Sequence, residues 1–231
     1  MLYVVYEVTL FIRFFYTMCF SPEVSIGTFV LGFVSSVLVY SLGTIDDQII
    51  GMYFAFISFI QWIEYLLWNH VKCDNYNRWV SFVGMLMNHL QPMVLGALVL
   101  GYHSKIAPKN RNFILGLLFI YTVSIVPYSL QFYSTNQCTV KTSDNHLYWT
   151  WNNMPMYSWV YSLFVLCIFS SFRFGLVSPV HGQYMAYTGL VLLGISGVIY
   201  HGTGIIGSMW CFFSAFVPLI WYLLRIYRII V

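Results

Sequence analysis

Seven runs of mostly apolar residues, each close to the 20 or so that an α-helix needs to cross about 30 Å of hydrocarbon, decide what this chain can fold into. They cover residues 24–43, 48–69, 78–101, 112–133, 157–177, 183–201 and 207–229. The breaks between them hold turn and charge signals: Asp46 and Asp47, Lys72 to Arg78, Lys105 to Arg111 with Pro108, the polar stretch Ser134 to Asn153, Arg173 with Pro179, and Gly202 to Gly207. Only 7% of the 231 residues are charged while 60% are hydrophobic. A water-soluble domain carries roughly 25% charged residues, so this surface is built for lipid. The expected fold is all-α: a polytopic seven-transmembrane helix bundle forming one membrane domain over residues 1–231, with the bundle spanning 24–229. Short connections make consecutive helices antiparallel neighbours.

Residues 1–17 are apolar but carry Glu7 and Arg13, and Tyr6, Thr9, Arg13 and Thr17 share a helical face. That pattern predicts an interfacial amphipathic helix, with an eighth span as the alternative. A secretory signal peptide is not expected, because Arg13 interrupts the apolar run. Lys and Arg set orientation by collecting on the cytosolic side. Lys105, Lys109, Arg111, Arg173, Arg225 and Arg228 fall at one set of helix ends, whereas Lys72, Arg78 and Lys141 at the other set are interleaved with Asp74 and Asp144. The C-terminus is therefore expected in the cytosol, in the plasma membrane or an endomembrane. A formal charge of +3 without a basic stripe excludes a nucleic-acid partner, which leaves the lipid bilayer and a small solute or ion.

Glu64 is the one carboxylate inside these predicted spans, and an ionisable group at that depth costs several kcal/mol unless paired or hydrated. Ser58, Gln61, Glu64 or Tyr65, and Trp68 recur at helical spacing, giving the second span a polar stripe. On the third span Asn88 and Gln91 share a face, His89 points about 100° away, and Pro92 deprives the Asn88 carbonyl of its helical donor. His201 closes the sixth span, and Trp210 and Cys211 open the seventh after a Gly-rich turn. With Cys19, these residues predict a polar funnel opening outward. The competing reading is a hydrogen-bond network that only glues helices together. Cys19, Glu64, His89, His201 and Cys211 are also possible zinc or copper ligands, although they share no short ligand-spacing motif. Cys73 and Cys138 both fall in outer connections, either as a disulfide or as two free thiols.

The stretch Met18-Cys19-Phe20-Ser21-Pro22-Glu23, then Gln61-Trp62-Ile63-Glu64 with Trp68, then Trp210-Cys211-Phe212, resembles a family of small bacterial integral membrane proteins of unknown function. Members begin near an MCFS-like motif and carry QxxEG…W and WCF-like motifs. Tyr65 stands where that family tends to have Gly, and residues 1–17 are an extension. The resemblance marks Cys19, Ser21, Gln61, Glu64, Trp68, Trp210 and Cys211 as a shared feature and supplies no mechanism.

The sequence points first to a channel or transporter for a small polar solute, cation or proton. A membrane-embedded metal-assisted hydrolase acting on lipid, and a seven-helix ligand-binding or receptor-like protein, are the alternatives. A retinal Schiff base is excluded because the last span has no Lys, and neither an HExxH helix nor a Gly-rich phosphate loop is present.

Overall fold

The computed structural model describes residues 21–102, 106–143, 145–199 and 206–230. The predicted N-terminal helix over 1–17, Cys19 and His201 lie outside these residues. Eight α-helices are described: α1 Pro22–Ser41, α2 Ile45–Trp68, α3 Asn75–Tyr102, α4 Pro108–Ser134, α5 Tyr157–Gly175, α6 Pro179–Ile199, α7 Ile206–Ser214 and α8 Val217–Ile226. Six helical stretches are long and apolar enough to cross a membrane, with α7 and α8 together forming the sixth, Ile206–Ile226. The chain is an all-α, multi-pass membrane protein. The 21-residue α6 is not among the six; its more apolar half follows His181, Gly182, Gln183 and Tyr184.

Most helices start about three residues earlier than the apolar runs do, because polar caps belong to the helix and not to the loop. Ser21 caps α1 by accepting from Val24 N, with Pro22 in the first turn. Thr44 caps α2: Asp47 N donates to Thr44 Oγ1 at 3.2 Å, and the Thr44 hydroxyl donates in turn to Asp47 Oδ2 at 2.5 Å. Asp74 accepts from Tyr76 N and Asn77 N at the start of α3. The hydrogen bond from His70 holds its carboxyl below the usual carboxylate range. The predicted final span, 207–229, is instead two pieces. Ala215 N bonds back to Cys211 O and Phe212 O, and Pro218, lacking an N–H, opens the second piece.

Small residues bring α1 onto α2. The buried face of α1 is Ser25, Thr28, Gly32, Ser35, Ser36 and Val39, a stripe at three- and four-residue spacing that lets backbones approach where lipid offers no hydrophobic drive. Gly51 completes the fit: a Cβ there would sit 2.7 Å from Ser36 O and 2.8 Å from Tyr40 N. Gly43, at φ +85°, makes the tight turn between the two helices.

The stretch Ser134 to Asn153, read from sequence as a polar connection, folds into a cap. Strands β1 Thr139–Lys141 and β2 Leu147–Trp149 pair antiparallel and lead into a 3-10 turn, Thr150–Asn153. A disulfide joins Cys73 to Cys138, with Cα atoms 5.9 Å apart. Asn77 of α3 acts as a surrogate strand neighbour, donating to Thr139 O and accepting from Thr139 N, both at 3.0 Å. Trp149 and Trp151 stack at 5.0 Å and are almost completely buried beneath this cap.

Gly51→Ala is expected to destabilise the protein by about 1–3 kcal/mol through overpacking. Gly27→Ala, where a Cβ meets nothing within 4 Å, is expected to be neutral or slightly stabilising. Thermal unfolding in detergent separates the two.

Candidate functional site

Two hydroxyls, an amide and a carboxyl from three helices form the first polar chain. Thr28 on α1 contacts Gln61 Oε1 on α2 at 2.9 Å, Gln61 Nε2 donates to Glu64 Oε2 at 3.0 Å, and Ser208 on α7 donates to Glu64 Oε1 at 2.5 Å. Gln61 and Glu64 meet because residues three apart share a helical face. Glu64 lies about 6 Å along the axis from Trp68, the last residue of α2, at 1.5 Å per residue. Its side chain is buried, and no cationic side chain of the described residues pairs with it.

A second chain runs from α3 to the cap. Gln91 Nε2 donates to Asn88 Oδ1 at 3.3 Å, Asn88 Nδ2 donates to the Tyr161 hydroxyl at 3.0 Å, and that hydroxyl donates to Asn152 Oδ1 at 2.6 Å. The Cys211 thiol on α7 approaches Asn88 Oδ1 at 4.0 Å. Ser208 and Cys211 are three residues apart, so one face of α7 touches both chains. Gln91 Oε1 is buried without a hydrogen-bond partner.

His89 belongs to neither chain. The Tyr121 hydroxyl donates to the His89 carbonyl at 2.9 Å and lies 3.2 Å from His89 Nδ1. A single hydroxyl serves both contacts only by accepting from Nδ1–H, which leaves Nε2 as a buried, unpartnered acceptor between the rings of Tyr128 and Tyr161. Trp210 also departs from the expected cluster. It faces the opposite side of α7, lining apolar crevices with Ile168 and Gly189.

The predicted funnel is closed in this conformation. Gln61, Glu64, Asn88 and Gln91 are 0–2% exposed. The cap packs onto the same helices: Tyr128 donates to Trp151 O at 2.5 Å, and Asn152 and Trp149 press on the first turn of α7, where a Cβ on Gly207 would lie 3.1 Å from Asn152 Nδ2. Among the described residues no three His, Cys, Asp or Glu side chains gather as metal ligands. Zinc or copper ligation by Glu64, His89 and Cys211 together therefore has no geometric support, and Cys19 and His201 lie outside the described set.

Asp46 and Asp47, read from sequence as a loop, are a second buried centre at the opposite end of α2. Asp46 accepts from Val177 N at 2.7 Å and Ser178 N at 2.9 Å, and pairs with His181 Nδ1 at 2.8 Å. Asp47 accepts from Trp221 Nε1 at 2.9 Å and Arg225 Nη2 at 3.0 Å. This latch ties α2 to the α5–α6 turn, to α6 and to α8. The Thr44-x-x-Asp47 spacing, Arg225 inside the last apolar run and His181 just before the sixth were the available sequence signals. Polar termini of predicted spans look like loops until their partners are known.

No protein-family signature, curated protein or solved structure matches this chain.

Asp47→Ala is expected to cost about 3 kcal/mol or more, because it strands Arg225 in a site where the guanidinium is mostly enclosed. Asp47→Leu combined with Arg225→Met should recover part of the loss; equal damage in single and double variants in a thermal melt would show that the pair is not the latch.

Proposed function

We propose that the chain conducts or transports a proton or a small cation, and that Glu64 is the group that takes it up. The observation that carries this reading is a buried carboxyl, held by two neutral donors, Ser208 and Gln61, with no cationic side chain of the described residues beside it. Such a group persists at membrane depth by holding a proton or by coordinating a cation that the neighbouring oxygens help to solvate. Two further features favour transport. The span that supplies Ser208 is discontinuous, as helices around transporter ion sites often are. The site is shut on one side by the Trp149–Trp151 cap and is remote from the latch at the far end of α2, a geometry suited to an occluded state.

The topology that goes with this reading has seven spans. α6 begins at the Asp46 end of the bundle, and α7 resumes at the Glu64 end, so α6 has to traverse the same thickness as its neighbours. Lys109, Arg111, Arg173, Arg225 and Arg228 then share the cytosolic side with the C-terminus, and the Cys73–Cys138 disulfide lies outside, where thiols oxidise. Of the residues marked by the resemblance, Gln61 and Glu64 lie in the first polar chain and Trp68 packs with Met209 and Phe212 of the same α7, whereas Trp210 faces the other side of that helix and Cys19 lies outside the described residues.

Reconstituted in vesicles under a pH or cation gradient, the wild-type protein is expected to carry flux that Glu64→Gln abolishes and Ser208→Ala reduces. The Glu64→Gln variant keeps the shape and one acceptor oxygen, and the Ser208 hydroxyl can turn to accept from the new amide group, so a native-like melting transition should accompany the loss. Flux through Glu64→Gln equal to wild type would remove Glu64 from the pathway.

A further inference from the structure

The end of the bundle that holds the Asp46–Asp47 latch has an unusual charge balance. Both acids are withdrawn into the core, at 2% and 0% exposure, and are matched there by His181 and Arg225. What this end shows to its surroundings, among the described charged residues, is cationic: Lys109, Arg111 and Arg228 are exposed and Arg173 is half-buried. None of these four is within ion-pair distance of a described carboxylate. The opposite end is mixed, with Lys72, Arg78 and Lys141 accompanied by Glu23 and Asp74.

Three of the four cations lie on two helix ends that pack together. Phe113, one turn beyond Lys109 on α4 and on the same face, meets Phe174 of α5 edge-on at 6.1 Å, and the Arg173 guanidinium lies 5.5 Å from the centre of the Phe174 ring. The N-terminal turn of α4, with Lys109 and Arg111, is thereby brought beside the C-terminal turn of α5, with Arg173. Around them Phe113, Val177 and Val180 are about half exposed, an apolar surface at the level where a helix end meets headgroups. Guanidinium and ammonium groups above an aromatic, acyl-facing surface match a phosphodiester joined to hydrocarbon chains.

We propose that Lys109, Arg111 and Arg173 form a docking edge for the headgroup of an anionic phospholipid. The proposal is independent of Glu64 and of the transport reading. The acids that would repel such a headgroup are the ones the latch has buried. The apolar rim selects a lipid over a free anion, because only a lipid fills both parts of the surface.

The test uses the full-length protein in vesicles of phosphatidylcholine with a minor fraction of phosphatidylglycerol or phosphatidylserine, reading the lipid retained on the protein by native mass spectrometry. Anionic lipid should be enriched over its bulk fraction, each neutralisation (Lys109→Gln, Arg111→Gln, Arg173→Gln) should lower the enrichment by roughly fivefold, and the triple variant should lower it by at least about tenfold. Lys72→Gln with Lys141→Gln should change nothing. The charge-retaining set Lys109→Arg, Arg111→Lys and Arg173→Lys should keep the enrichment, which controls for folding. Undiminished enrichment in a folded triple variant overturns the proposal. So does loss of enrichment on adding inorganic phosphate at matched ionic strength, since the edge would then be reading a free anion.

Discussion

A polar side chain in hydrocarbon has no water to fall back on, and its bonds must come from other helices. That single requirement organises this molecule. Thr28, Gln61, Glu64 and Ser208 link α1, α2 and α7 near one end, and Asp46 and Asp47 link α2, α6 and α8 near the other. Apolar packing between the two sets, through Ile49, Ile50, Tyr53, Ile57 and Ile60 on α2, fills space but selects few partners. The buried polar groups pick which helices meet and in what rotation, because a wrong rotation leaves a carboxyl or amide facing lipid.

α2 is the axis of this arrangement, carrying both polar centres on one 24-residue helix. Its approach to α1 is close enough that only Gly fits at position 51, and its contact with the rest of the bundle is set by side chains at its two ends. The cap adds a third tie. By way of Cys73–Cys138, Asn77 and Tyr128 it fixes the loop after α4 onto the starts of α3 and α7, which places Trp149 and Trp151 above the Glu64 chain.

Much of this was legible from the chain alone. Apolar runs of span length identify the helices, and the i, i+3 spacings of Gln61 with Glu64 and of Asn88 with Gln91 correspond to the hydrogen bonds observed. Three things were not legible, each for a physical reason. Helix ends were placed late because Ser21, Thr44 and Asp74 look like loop residues although they cap the first turns. Asp46 and Asp47 stand in the sequence as a charged break between apolar runs, and nothing local reveals that His181 and Arg225, more than a hundred residues on, reach them. The hairpin was hidden because its strands are three residues each, too short for an alternating pattern to register, and they depend on Asn77 for bonding that a longer sheet would supply itself.

The interruption at Ala215 and Phe216 divides the labour of the last span. Its second piece, α8, is anchored through Trp221 and Arg225 to the Asp46–Asp47 end of α2, while its first piece, α7, carries Ser208 and Cys211 against the two polar chains. A continuous rod would transmit any displacement at Ser208 directly to Arg225. Two rods with a joint between them allow the piece that touches Glu64 to pivot while its lower companion stays moored.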